Sequence, residues 1–364
     1  MSDAVKPANS SGVGQAGSLR RVANPPERRL ATGAQLGKLP HHGGILVVRL
    51  GAMGDLIHAL PAVASLKAGF PGARLTWVVE PRWAPLLEGN PYVDRVVLLR
   101  RGSARGLLES WRELRAESYD FAVDFQGLFK SALVARAARP ERIYGFDRAQ
   151  LREGAAAIIY THRMLSASTH VVDRNLDLAA FAGASARVLE FPLPQGAPEG
   201  ELPECDFVLA SPLAGWRSKQ WPLGHYASLA ERLMRELKTP LVLNVPPDAA
   251  LPAVEGIWPH VSGLPGLIHA ARRAAAVVGV DSGPLHLAAA LAKPGVAIFG
   301  PTDPARNGPY GGSLRVLRSS EAVTTYKRNA AICDDMKAIS PGEVFDALRS
   351  ILGQRTQNTP ERQP

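Results

Sequence analysis

Cysteine is scarce in this sequence of 364 residues, and the two cysteines present stand apart. Cys205 and Cys333 lack the paired spacing of a zinc site. We therefore expect two buried free thiols in a reducing compartment. This scarcity argues against a metal-stapled domain and favours a cytoplasmic protein.

Long apolar runs are also missing. No uninterrupted apolar stretch reaches the ~18–20 residues that cross a bilayer, and the first forty residues lack the apolar core of a secretory signal. Hydrophobic residues make up 46% of the chain and charged residues 21%, as in globular proteins that bury a core. We expect no membrane span and no export.

Positive charge is in excess but unevenly placed. The formal net charge is +9, yet residues 1–43 alone hold six basic and two acidic side chains, and residues 353–364 hold two basic and one. The body between them keeps a small excess that suits phosphorylated ligands or an anionic membrane surface. Without a zinc finger or an RNP-type motif, it does not indicate a nucleic-acid partner.

The two ends of the chain differ in composition from its body. Residues 1–43 are rich in Gly, Ser, Ala and Pro and show no sustained periodicity, which predicts a disordered basic tail. This tail either tethers the protein weakly to a membrane or is a plain linker or a mispredicted start. Residues 353–364 are predicted to form a second disordered tail.

From Gly44 onward, apolar runs of strand length alternate with helical stretches, which implies right-handed crossovers and parallel sheets. The predicted strands are 45–50, 75–79, 96–99, 121–124, 142–145, 207–211, 241–244, 277–280 and 296–299. The predicted helices are 56–67, 105–117, 130–138, 171–182, 225–237, 267–274, 284–291 and 341–352. A Pro/Gly-rich linker, 191–205, separates two α/β units, 44–190 and 206–352. We predict two Rossmann-like doubly wound domains facing a cleft at the carboxyl ends of their strands.

The first motif, Gly51-Ala-Met-Gly54-Asp55-Leu-Ile-His58, directly follows the first predicted strand. Its glycines allow a tight turn and the close approach of a ligand, but the three-glycine dinucleotide spacing is absent and NAD binding is disfavoured. Asp55 has two interpretations. It caps the following helix, or it is a reactive carboxylate at the ligand edge.

The second motif is Lys219-Gln-Trp-Pro222, in which Pro222 suits the first position of a helix. Lys219 then lies at the strand-end rim of the second unit, near Arg217 and a glycine-containing loop. It either binds phosphate or is a solvated lysine. Trp216 and Trp221 either pack in the core or form an aromatic wall.

The third motif, Val280-Asp281-Ser282-Gly283-Pro284-Leu285-His286, joins a strand to a helix start. Free amides and the positive end of the helix dipole make such a start an anion site. Ser282 either caps this helix or gives its hydroxyl to a phosphate, and His286 either reaches the same ligand or is a buried core histidine. Gly300-Pro-Thr-Asp-Pro304 ends the next strand at the same rim.

These motifs, together with Asp124-Phe-Gln-Gly-Leu-Phe-Lys-Ser131, resemble the heptosyltransferase family of lipopolysaccharide biosynthesis, over residues 44–352. The motifs beginning at Gly51, Asp124 and Gly300 favour its type I branch. The resemblance implies a GT-B fold and an inverting sugar transfer without metal or other cofactor. It implies ADP-L-glycero-β-D-manno-heptose as donor and the inner Kdo of Kdo2-lipid A as acceptor, at the inner face of the inner membrane.

The same resemblance implies a role for each site residue. Asp55 would be the catalytic base that takes the proton of the Kdo hydroxyl, and Lys219 would stabilise the departing diphosphate. The implied donor-binding residues are Lys219, Asp281, Ser282, Gly283, His286, Thr302 and Asp303. The implied acceptor-binding residues are Gly54, Lys130 and Arg152.

Several alternatives stay open. One alternative to the type I enzyme is a heptosyltransferase II or III, or a relative that uses another sugar nucleotide. The others are a nucleotide-sugar epimerase of similar shape and a non-catalytic nucleotide-binding protein. The stretch 244–252 is proline-rich where family members carry a Gly-containing loop and a helix, which leaves the donor's base and sugar open. Arg82-Trp83 and Arg100-Arg101 are either membrane contacts or solvated surface.

Overall fold

The computed structural model describes residues 43–249 and 254–358. The strands are β1 (Gly44–Val48), β2 (Arg74–Val79), β3 (Arg95–Leu98), β4 (Tyr119–Asp124), β5 (Arg142–Phe146), β6 (His162–Met164), β7 (Val208–Ser211), β8 (Leu241–Val245), β9 (Trp258–Val261), β10 (Ala276–Val280), β11 (Gly295–Phe299) and β12 (Leu314–Arg318). The α-helices are α1 (Met53–Gly69), α2 (Ala104–Leu114), α3 (Phe129–Ala137), α4 (Val171–Phe181), α5 (Leu223–Arg232), α6 (Leu264–Arg273), α7 (Gly283–Ala290), α8 (Pro304–Asn307), α9 (Asp334–Ala338) and α10 (Pro341–Asn358). Short 3-10 helices lie at Pro81–Leu87, Arg148–Gln150, Gly154–Ile158 and Arg217–Lys219, and one π turn, Leu233–Leu237, continues α5.

The strands form two six-stranded parallel sheets with the same winding. The orders are β3-β2-β1-β4-β5-β6 and β12-β11-β10-β7-β8-β9. In each sheet the first strand lies between the second and the fourth, so the order reverses at β1/β4 and at β7/β10. Such reversal points are where doubly wound sheets bind ligands, at the carboxyl ends of the strands. The predicted α/β class of two Rossmann-like units is confirmed.

The central strands are buried because helices cover both faces of each sheet. Every residue of β1 and of β10 is buried, which matches the uninterrupted apolar runs of parallel strands. Helix α1 is buried from Met53 to Leu66 except at Asp55, since it packs against α4 on one side and α7 on the other. One hydrophobic core therefore runs from the first sheet through α1 and α7 into the second.

The structure adds edge strands and shifts several boundaries. β6, β9 and β12 were not predicted, because most of their side chains are exposed or half-buried and give no apolar run. No helix or strand occurs between residues 191 and 205, and α10 extends past residue 352 to Asn358. The predicted tail 1–43 lies outside the described residues except for Gly43. The domain boundaries themselves stay predictions.

The structure can be compared with the expectations about the two cysteines and about membrane spans. Cys205 is exposed and Cys333 half-buried, so the expectation of buried thiols is wrong: Cys205 lies in the loop before β7 and not in a strand. Within the described ranges, no helix is both long and apolar enough to span a bilayer.

Candidate active site

The two strand-to-helix turns of the first and third motifs meet face to face. A methyl group on Gly54, in the first turn of α1, would lie 2.6 Å from Cδ2 of His286 in α7. One on Gly283 would lie 2.5 Å from Cε of Met53. Glycine is needed at both positions because the helices approach closely there, not because the chain turns sharply. The turns carrying Asp55 and Asp281 thereby lie on either side of the contact between α1 and α7, which is called the joint below.

Asp55 lies at the start of α1, with its carboxylate half exposed. Its Oδ2 is 2.7 Å from Nη2 of Arg49 and accepts a hydrogen bond of 3.4 Å from the amide of Ala52. Its side chain retains 47% exposure, whereas that of Arg49 retains 9%. Asp55 thus caps its helix and also keeps about half of its side chain exposed, so its two interpretations are compatible.

Asp281 is the centre of a buried ionic cluster in the second half. Its Oδ2 accepts a hydrogen bond of 3.0 Å from Nζ of Lys219, and its Oδ1 lies 3.5 Å from Nε2 of His286. Burial raises the pKa of the Asp281 carboxyl, but the hydrogen bond from His286 and the charge of Lys219 outweigh it and hold that pKa well below its usual value. A smaller effect of Thr302 acts in the same direction. Asp281 is therefore a carboxylate held in its charged form by His286 and Lys219.

Lys219 is placed by its own short turn. The 3-10 helix Arg217–Lys219 follows β7, and the ammonium lies 4.7 Å from the centroid of the Trp216 ring. The indole of Trp221 is buried and donates to the carbonyl of Ile339 at 2.9 Å. Trp221 is therefore a packing residue, whereas Trp216 forms a wall against the lysine.

The remaining donor-side residues differ in their local bonding. Ser282 is buried at the start of α7 without capping it, and its hydroxyl finds no hydrogen-bond partner in the part of the chain that is described. That hydroxyl is therefore free to bind a ligand, the second of its two interpretations. Asp303, in contrast, caps α8 by accepting from the amide of Ala305 at 2.9 Å.

The two basic residues predicted on the acceptor side lie at one rim of the first sheet. Lys130 is exposed in the first turn of α3, and Arg152 is exposed in the loop before the 3-10 helix Gly154–Ile158. Glu153 ties the two segments together, because its Oε2 accepts from the amide of Phe129 at 2.8 Å. The rim starts at the carboxyl end of β4, next to β1, so both cations lie on the same edge of the sheet as Asp55.

Asp124 has a structural role that sequence reasoning missed. It is fully buried at the end of β4 and accepts hydrogen bonds from Ser131 at 2.8 Å and Tyr160 at 2.7 Å. The amides of Gln126 and Gly127 also donate to it, at 2.9 and 3.3 Å. Burial raises the pKa of Asp124 despite these bonds. This carboxyl holds the loop that leads to Lys130.

His58, the last residue of the first motif, is the second residue to which sequence reasoning assigned no role. Its ring lies 4.2 Å from that of His286 and 5.8 Å from that of His170, whose Nε2 is 3.1 Å from the carbonyl oxygen of Gly308. The three imidazole rings thus connect α1, the start of α4 and helix α7 of the second α/β unit. Burial, and then the charges of His286 and His170, lower the pKa of His58 well below its usual value, so this ring is neutral.

The structure leaves two predictions about ligand binding untested. Among the residues described, no group of three or more His, Cys, Asp or Glu side chains is arranged to hold a metal ion. Metal independence stays a prediction. The proline-rich stretch 244–252 lies partly outside the described residues, so its effect on the donor pocket also stays a prediction.

Comparisons with known proteins agree with this architecture. Residues 107–334 match the family described as glycosyltransferase family 9 (heptosyltransferase). Lipopolysaccharide heptosyltransferase 1 of Pseudomonas aeruginosa is 31% identical over 307 residues, covering 74% of this chain and 82% of that protein. Lipopolysaccharide heptosyltransferase 2 of Salmonella typhimurium is 29% identical over 351 residues, covering 85% and 99%.

Solved structures share the fold. The E. coli heptosyltransferase WaaC with ADP has a TM-score of 0.66 at 24% identity, covering 84% of this chain and 99% of that one. The E. coli ADP-heptose lps heptosyltransferase II has a TM-score of 0.69 at 25% identity, covering 86% and 99%.

Proposed function

Because the chain belongs to glycosyltransferase family 9, the heptosyltransferases, it is a glycosyltransferase, and we propose that it transfers L-glycero-D-manno-heptose from ADP-heptose to the inner Kdo of Kdo2-lipid A. The observation that carries the proposal is the meeting of the two helix starts. Gly54, next to Asp55, lies against His286, and His286 contacts Asp281, which in turn pairs with Lys219.

The reaction is a single displacement with inversion. Asp55 takes the proton of the Kdo hydroxyl as that oxygen bonds to the anomeric carbon of heptose, and the bond from that carbon to the diphosphate oxygen breaks. ADP leaves with the bonding electron pair. Negative charge therefore grows on the diphosphate, at the start of α7 where the helix dipole and the Ser282 hydroxyl stabilise an anion.

Lys219 supplies the positive charge on the donor side while Asp281 holds it in place. In the described state Lys219 is already paired with a buried carboxylate, so its ammonium is oriented before the donor binds. As ADP develops charge, the same ammonium has two of its three protons left to donate to phosphate oxygens. Asp281 is thus a positioning group, and Lys219 contacts the leaving group.

The type 1 reaction is favoured over its sister reactions by similarity to the 31% identical relative. A purified enzyme should release ADP from ADP-heptose only when Kdo2-lipid A is present, with a matching mass increase of the acceptor. Transfer only to an already heptosylated acceptor would point to the type 2 or 3 reaction. An epimerase would convert the nucleotide sugar without acceptor, and a non-catalytic protein would bind ADP and release nothing.

The matched variants for that assay are Asp55→Asn and Asp334→Asn. Both aspartates lie in the first turn of a helix and pair with a cation, but Asp334 is 95% exposed and pairs with Lys337 on its own helix α9, so it belongs to neither ionic cluster described above. Asp55→Asn should nearly abolish transfer, with a small residual rate, and leave ADP binding almost unchanged, and Asp334→Asn should leave both unchanged. Transfer by Asp55→Asn at the normal rate would remove Asp55 from the mechanism.

An enzyme with a lipid acceptor must bind the membrane surface that holds the lipid. The outer face of α2 and α3 is suited to this contact. Both helices cover the same face of the first sheet, and Arg115, directly after α2, donates to the carbonyl of Ala137 at 3.0 Å. Their outer face exposes apolar side chains, each with 42% to 48% exposure: Leu107, Leu108, Trp111, Phe129 and Leu133. Arg112, Lys130 and Arg136 lie among them without an ion pair within the described chain. Exposed apolar groups among cations are the composition of an anionic-membrane contact.

Arg82-Trp83 and Arg100-Arg101 stay the other candidate contacts. We favour the face of α2 and α3, because Arg82 and Arg101 share one partner, Glu80, and Arg100 pairs with Glu113, which offsets part of their charge. The double variant Leu108→Glu, Trp111→Glu should bind vesicles containing anionic lipid at least about tenfold more weakly, since each inserted apolar side chain contributes roughly 1.5–3 kcal/mol. Val323→Glu, at an exposed apolar residue elsewhere, is the control. Equal binding by the three proteins would contradict this surface.

A further inference from the structure

Arg49 is a charged residue at the end of an otherwise apolar strand. It directly follows β1, and only 8% of its surface is exposed. A buried guanidinium is costly unless several acceptors compensate it. Its Nε has no hydrogen-bond partner among the described residues, so its energetics depend on its two terminal nitrogens.

Those two nitrogens connect the candidate base to the acceptor-side loop. Nη1 donates to the carbonyl of Phe125, in the loop after β4, and Nη2 lies 2.7 Å from Oδ2 of Asp55. One planar group therefore bridges the point where the order of the first sheet reverses. The main chain of Arg49 is held as well, because its carbonyl accepts from the Trp77 indole at 3.1 Å.

We infer that Arg49 is a positioning residue for the transfer proposed above: it holds Oδ2 of Asp55 and leaves Oδ1 to receive the acceptor proton. The contacts of Asp55 with Arg49 and Ala52 both use Oδ2. Among the described residues Oδ1 has no hydrogen bond or ion pair, and the side chain is 47% exposed, so Oδ1 is the oxygen left for the acceptor. The inference rests on the proposed function, since it requires Asp55 to be the base.

The anchor for this arrangement is rigid on its other side. The carbonyl of Phe125 lies between Asp124 and the amides of Gln126 and Gly127, which donate to that buried carboxylate. The side chain of Gln126 in turn accepts from the amide of Leu50 at 2.7 Å. Arg49 therefore reaches Asp55 from a fixed loop, and only a forked side chain reaches both acceptors at once.

The test measures turnover in Arg49→Ala, Arg49→Lys and Arg272→Ala. Arg272 is the matched control, because it also donates to backbone carbonyls, those of Pro194 and Leu193, but lies outside the site. Arg49→Ala should lower kcat by on the order of 100-fold, the effect of a misplaced reacting group, with the KM for ADP-heptose and the ADP affinity unchanged. Arg49→Lys should retain an intermediate rate, and Arg272→Ala the normal one.

Two further measurements separate positioning from a merely structural effect. Guanidinium ion at low, non-denaturing concentration should restore at least about tenfold of the lost kcat of Arg49→Ala, but should not activate Arg272→Ala or Asp55→Ala, because the added ion replaces the missing group. In the Asp55→Ala background, Arg49→Ala should cause no additional loss, as expected of two residues acting as a unit.

The outcomes are distinguishable from failure of the proposed function. If Asp55→Ala is inactive while Arg49→Ala turns over normally, the inference about Arg49 is wrong and the base assignment stands. If Arg49→Ala loses ADP binding in parallel with kcat and guanidinium does not help, Arg49 is only structural. Should Arg49→Ala fail to fold, Arg49→Lys decides by the same comparison of kcat with ADP affinity. If Asp55→Ala is active, the proposed function fails first.

Discussion

The buried ring of His58 makes the stability of this protein depend on pH in a predictable direction. His58 is 4% exposed, and neither ring nitrogen has a hydrogen-bond partner within the described part of the chain. Its pKa in the folded protein lies well below the usual 6.5 because of burial and then of the neighbouring charges of His286 and His170. In the unfolded chain the ring regains water and titrates near its usual value.

The size of the effect follows from the difference in bound protons. Above the unfolded pKa both states are neutral at this position, so His58 adds no pH dependence. As the pH falls below about 6.5, the unfolded state binds a proton that the folded state refuses, and stability is lost until the folded pKa is reached. Between about pH 7 and pH 5.5 this amounts to roughly 1.2 kcal/mol for one histidine with an unfolded pKa near 6.5.

The measurement compares wild type with His58→Leu by urea unfolding at several pH values. A histidine outside this cluster, such as His260, whose pKa burial also lowers, is the same in both proteins and cancels in the difference. Wild type should lose about 1 kcal/mol more than the variant over this interval, and the comparison holds whatever the absolute stability of the variant. Parallel pH profiles would refute the reasoning, because they would mean that the folded protein accommodates a charged His58.

Three further outcomes follow from the same geometry. Gly54→Ala should destabilise the protein by about 1–3 kcal/mol, since its methyl group would meet the His286 ring at 2.6 Å. Thermal unfolding measures this loss, and Gly72→Ala, at a position with open space around it, is the control. Lys219→Met should lower kcat by at least about tenfold more than ADP affinity, because part of its charge is already neutralised by Asp281; equal losses contradict this. Asp281→Asn should lower the melting temperature, by leaving Lys219 buried without its carboxylate, and an unchanged value contradicts it.

The fold was predictable from the sequence wherever burial determines the residue pattern. The central strands β1, β4, β7 and β10 have helices on both faces, so their apolar runs are nearly continuous. The edge strand β6 was not predictable, because its side chains face water and its pairing with β5 depends on main-chain hydrogen bonds. An edge strand of this kind carries no compositional signal.

The candidate site was predictable in its location but not in its bonding. The carboxyl ends of parallel strands bring Asp55 and Asp281 to sheet edges by topology alone. The contact between Lys219 and Asp281 joins residues 62 positions apart and depends on side-chain conformation, which no local pattern encodes. Arg49 did leave a signal, since a charge at the end of a buried apolar strand needs a partner. The sequence reasoning did not use it.

The charges at the joint explain how one site can serve both a base and an anionic donor. Asp55 and Asp281 each have their own cation, Arg49 and Lys219, at 2.7 and 3.0 Å. These pairs leave little net charge before the substrate arrives, so Lys219 alone does not balance a diphosphate, and groups without a counter-ion must contribute as well. The start of α7, whose dipole is fixed by folding, and the Ser282 hydroxyl are such groups. The approach of a diphosphate therefore does not have to break the pair that orients the base, because the pairs lie on opposite helix starts.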